Sequence, residues 1–146
     1  MSTKRDHQRG RVYAWENRVV APHDPSFVAF PEAQAMVNAI WSEMGLLYPP
    51  KVEPLAKHAK ATIATATRLC IRLPERLPSW CLLHEIAHAI TATAEGWSDG
   101  HGAAFMGVYV RLLARYLRLE SADLVRTARE DHIKVADDAR PAFADA

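Results

Sequence analysis

The chain has 146 residues, 49% of them hydrophobic and 24% charged, with a formal net charge of +1. This length suits one domain, and the composition excludes a disordered chain, a collagen-like chain and a coiled-coil rod. Near-neutrality gives no overall pull on nucleic acid, and no apolar run approaches the roughly 18 residues that a membrane span needs.

Residues 1–18 carry five basic against two acidic side chains, and residues 130–146 the reverse excess of acid; both read as solvated ends. The first ten residues contain no apolar stretch, so the expected compartment is the cytoplasm. Cys70 and Cys81 are too few for a disulfide scaffold or a four-cysteine zinc ribbon and read as small core residues.

Over 11–20, Val12, Trp15 and Val19 favour a helical stripe over strand alternation. The segment 31–44 predicts a helix, with Pro31 at its first position and Gly45 just past its end. Ala33, Met36, Val37, Ile40, Trp41 and Met44 form its buried face. Pro49-Pro50 forbids helix and opens an extended stretch over 51–55. Two further strands are predicted over 61–66 and 69–73, which makes a small, mostly antiparallel sheet.

Ser79 is the expected N-cap of a helix from Trp80 to about Ala94, and Gly96 stops it. A second long helix spans about 102–119 and buries Phe105, Val108, Leu112, Tyr116 and Leu119. Ser121 caps a last helix with Leu124, Val125 and Ala128 inward, and 132–136 reads as a short extended piece. The single domain covers 1–136, and 137–146 reads as a flexible C-terminal tail.

One motif carries chemistry. His84-Glu85-Ile86-Ala87-His88 is an H-E-x-x-H pattern. Residues four apart share a helix face with Cβ atoms roughly 5–6 Å apart, close enough for two imidazoles to meet on one zinc ion. Glu85 follows the first ligand, near the metal without having to bind it, and can take a proton from an activated water and return it to a leaving group. With 7 His and 9 Glu in the chain, about 0.02 such patterns are expected by chance.

A catalytic zinc takes three protein ligands and keeps one position for water. Glu95, Asp99, His101 and Glu120 are the candidates for the third, with His101 favoured. It stands between Gly100 and Gly102 at the opening of a helix, where the backbone can turn sharply and approach closely. Tyr109, Tyr116, Arg111 and His58 are candidates to support a developing oxyanion, and the sequence does not choose among them. Arg111, Arg115 and Arg118 read as a solvated face, and His7, His23 and His132 as surface histidines.

His84-Glu85-x-x-His88, a twelve-residue gap and His101-Gly102-x-x-Phe105 together resemble the zinc core of SprT-like metallopeptidases. The likeness is closer to a group of small bacterial and phage-encoded metallohydrolases, whose Arg-Asp-x-Gln-Arg-x-x-Val-Tyr opening is matched here from Arg5 to Tyr13. The resemblance implies a compact α+β zincin-like domain, with the small sheet packed on the HExxH helix. It also implies a Zn2+ cofactor on His84, His88 and His101, and Glu85-assisted hydrolysis of a protein or peptide substrate. The strand before the motif helix is expected to offer its edge to an extended peptide. The alternative is a non-catalytic metal-binding module for regulation or interaction, in which Asp99 or Glu120 closes the fourth position.

Overall fold

A computed structural model describes residues 6–56 and 64–143. The expected strand at 61–66 therefore lies partly outside the described residues, and His58 lies wholly outside them.

The chain enters through α1 (Arg9–Trp15), whose buried Val12 and Trp15 follow the predicted helical stripe. The helix then widens into a π-helical stretch, Glu16–Val20, and tightens into a 3₁₀ turn, Ala21–His23. Next come β1 (Phe27–Ala29) and α2 (Phe30–Glu43), with Pro31 in the first turn as expected. Ala33, Val37, Ile40 and Trp41 are buried on α2, whereas Met36 is exposed on the rim of a shallow groove rather than inside the core.

Two small sheets form instead of one. In the first, β1 pairs antiparallel with β5 (Arg76–Pro78), setting the buried Val28 opposite the buried Leu77. In the second, β4 (Cys70–Leu73) is central, parallel to β2 (Lys51–Pro54) and antiparallel to β3 (Thr65–Ala66). Ile71 and Leu73 point inward while Arg72 stays out, the alternation of a half-buried strand. The predicted strand over 69–73 is thus central and paired on both sides, and the shorter β5, paired with β1, stands between it and the motif helix.

The motif helix is α3 (Ser79–Ile90), followed by α4 (Ala103–Tyr116) and α5 (Ser121–Glu130). α3 packs on α4 and also on β1, β3, β4 and β5, so most of its circumference is buried. The whole is a mixed helix-and-sheet fold, as the α+β expectation required. Among the described residues, no helix is long and apolar enough to cross a membrane.

Two helix starts differ from expectation. Ser79 lies inside the first turn of α3, and the side chain that satisfies this end is the remote Asp24, whose Oδ2 accepts from Trp80 N–H at 2.9 Å. Its carboxylate also suits the positive end of the helix. Ser121 is likewise the first residue of α5, behind Glu120, and supplies no side-chain cap.

Residues 132–136 form no strand. Ile133 is buried, and Ala136 N–H donates to Ala103 C=O. Beyond them, Ala139 is buried, Ala142 N–H donates to Ile90 C=O, and the Phe143 ring stacks on Trp41 with centroids 5.7 Å apart. Residues 137–143, read from sequence as tail, therefore lie against the body of the domain.

Candidate metal centre

His84 and His88 project from successive turns of α3, as four-residue spacing on a helix requires. His101 reaches them from the turn before α4. That turn needs Gly100, at φ +64° and so close to Asp6 that a Cβ would lie 2.7 Å from the carboxylate oxygen. The three Nε2 atoms form a nearly equilateral triangle: 3.1 Å from His88 to His84, and 3.2 Å from each of these to His101. All three rings are buried or half-buried.

Each orientation has a cause. His84 Nδ1 meets Glu16 Oε2 at 2.5 Å, and His101 Nδ1 meets Asp6 Oδ2 at 2.7 Å. An ionised carboxylate only accepts, so both Nδ1 atoms carry the proton and, in the neutral rings, Nε2 is left as a bare lone pair. Glu16 Oε2 also accepts from Tyr109 O–H at 2.6 Å, which fixes the carboxylate itself. Asp6 accepts in addition from the His101 backbone N–H at 3.2 Å. Gln8 ties down the same loop, its Nε2 donating to His101 C=O at 2.9 Å and its Oε1 accepting from Lys134 N–H at 2.6 Å. The opening motif that carried the resemblance thus works as a bracket for the third histidine.

Lone pairs converging this closely repel one another unless a positive charge sits among them. Burial, with the neighbouring histidines, pushes His88 well below the usual imidazole range. Burial also lowers His101, and Asp6 only partly opposes it. His84 also loses by burial, but the hydrogen bond and charge of Glu16, with help from Glu85, raise it overall. Two neutral ligands and one ring that readily holds a proton can therefore exchange that proton for a metal ion. His84, His88 and His101 can together hold such an ion.

Glu85 is buried beside this triangle on α3, and burial first, then Glu16, pushes its carboxyl up to about 7, against a lowering from His84. A carboxyl poised there can both take and give a proton near neutral pH.

The other candidates lie elsewhere. Asp99 caps α4, accepting from Ala104 N–H at 2.8 Å and Phe105 N–H at 3.4 Å. Glu95 and Glu120 are exposed. Tyr109 is fully buried and its hydroxyl is spent on Glu16. Tyr116 hydrogen-bonds Glu43, and Arg111 binds the Gly107 and Ala139 carbonyls. Sequence reasoning missed Glu16 and Asp6. Only the opening motif signalled Asp6, and Glu16 had no signal at all. Comparison with family models, with curated proteins and with solved structures finds no match for this chain.

Proposed function

We propose that this chain is a zinc-dependent hydrolase, most specifically a metallopeptidase that cleaves peptide bonds. The observation that carries this reading is the convergence of three Nε2 atoms at 3.1–3.2 Å, with Glu85 buried alongside. Nitrogen ligands about 2.0–2.1 Å from one tetrahedral zinc lie roughly 3.3 Å apart, close to the spacing found. Two Nδ1–H groups anchored on carboxylates are the support that zinc-binding histidines ordinarily have.

A zinc ion held there supplies a Lewis acid and a water whose pKa falls toward about 7. Glu85 accepts the proton of the attacking water and returns it to the leaving nitrogen, so water and amide become acid and amine. Burial raises its proton affinity, and the charge of a bound zinc ion would act against that rise. The motif on α3 supports a peptide over another acyl substrate. The rival, a metal-binding module with a closed site, needs a fourth protein ligand. Asp99 is committed to capping α4, and Glu120 lies exposed at the start of α5.

The test is to incubate zinc-loaded protein with an unfolded protein and a mixed peptide library, and to read new termini by mass spectrometry. Wild type should generate them and Glu85→Gln should not. Cleavage retained by Glu85→Gln at an equal rate would remove Glu85 from the chemistry. No cleavage by zinc-loaded wild type would favour the binding module.

A further inference from the structure

The walls around the three histidines are unequal. Phe105, fully buried, lies under all of them, its ring centroid 5.0 Å from His84, 4.4 Å from His88 and 5.1 Å from His101. Tyr109 closes the His84 flank at 5.3 Å and is also fully buried. Tyr13, on α1, differs. Its ring stacks 6.1 Å from His84 and meets His101 edge-on at 5.0 Å, yet the residue is 39% exposed. Among the described residues it is the one aromatic that both touches the ligand rings and reaches solvent.

Its hydroxyl is also available. The phenolic oxygen accepts from Arg9 Nε at 3.4 Å, a long and exposed contact, which leaves the O–H free to donate. The same guanidinium lies 5.5 Å from the Tyr13 ring centroid and so places a cation on that rim. The hydroxyls of Tyr109 and Tyr116 and the guanidinium of Arg111 are engaged elsewhere, as described above.

We propose that Tyr13 is a substrate-contacting catalytic residue of this site. Its O–H donates to the carbonyl oxygen under attack as that oxygen gains negative charge, and its ring forms the wall against which the substrate chain lies. Its part is a hydrogen bond alone; the protons that move do so through Glu85. A donor beside the buried ligand rings stabilises charge that develops on the oxygen under attack. The inference rests on the hydrolase reading above, and its test is arranged so that the two can fail separately.

Acetohydroxamate, which presents a carbonyl oxygen and binds an accessible zinc, is titrated by calorimetry into zinc-loaded wild type, Tyr13→Phe and Tyr13→Ala, with azide as a metal-binding probe that has no carbonyl. Zinc content and azide affinity should be the same in all three proteins. Acetohydroxamate should weaken about fivefold to tenfold in Tyr13→Phe, the loss expected for one hydrogen bond, and further in Tyr13→Ala. Equal acetohydroxamate affinity in wild type and Tyr13→Phe would overturn the Tyr13 assignment and leave the zinc site standing. Loss of zinc from Tyr13→Phe would also overturn it, by making the phenol a structural prop. Failure of acetohydroxamate and azide alike to bind the wild type would overturn the accessible-metal reading, and Tyr13 with it.

Discussion

On the proposed reading Glu85 carries the chemistry and the three histidines the metal, and single substitutions separate the two. Glu85→Gln keeps size and polarity but cannot take a proton. It should leave zinc content unchanged and the melting temperature within a few degrees, while hydrolysis is lost; atomic absorption and thermal scanning check the first two. Glu16→Gln and Asp6→Asn act one step out. Each weakens the acceptor that holds a ligand ring, and zinc affinity should fall about 10–100-fold, as measured by competition with a coloured chelator. Acid should weaken binding too. His84 carries a raised affinity for its proton, and zinc must displace that proton. Below the His84 value, zinc affinity should therefore drop about tenfold per pH unit, whereas the lowered His88 and His101 are already neutral there. Zinc titrations at stepped pH would show a flat profile if no proton were displaced.

The three converging histidines were legible because local spacing encodes them: i and i+4 on one helix face, and a histidine beside glycines. Glu16 and Asp6 were not. They stand 68 and 95 residues from the histidines they hold, and no periodicity spans such a gap. The lone Glu16 in an amphipathic stretch reads as a solvated charge, yet it is almost wholly buried.

Elements were legible to the extent that apolar rhythm determines them. The apolar stripes on α2 and α4, and the near-continuous apolar run of α3, predicted three helices with ends within about four residues of those observed, and Ser121 marked the start of α5. Pairing partners and caps were not encoded locally. β2 pairs directly with β4 in parallel, skipping β3, the next strand in the sequence, and Asp24 satisfies α3 from 56 residues away. One close approach is testable. A Cβ at Gly107 on α4 would lie 2.0 Å from Ala136 C=O, which is backbone and cannot swing aside. Gly107→Ala should therefore destabilise by about 1–3 kcal/mol despite better helix propensity, by forcing the 136–139 segment off α4. Urea unfolding would expose the error if the variant were as stable as wild type.

At the scale of the whole molecule, the candidate metal site sits on an extensive apolar core. Trp15, Trp41, Tyr109 and Phe105 are fully buried, and apolar side chains from all five helices and the strands join one cluster. Chelation should consequently leave a folded protein of lower stability. Zinc at a thousand times its dissociation constant adds about 4 kcal/mol, and its removal should lower the melting temperature while far-UV circular dichroism at room temperature keeps its helical signal. Complete loss of that signal would mark a small domain that only the metal folds.

The central claim is that His84, His88 and His101 form one zinc site, and its most direct test is zinc per chain after exhaustive dialysis, measured side by side for wild type and His101→Ala. About one zinc in the wild type and almost none in the variant is the predicted result, since two imidazoles are too few to hold the ion. One zinc in both would take His101 out of the site and contradict the account.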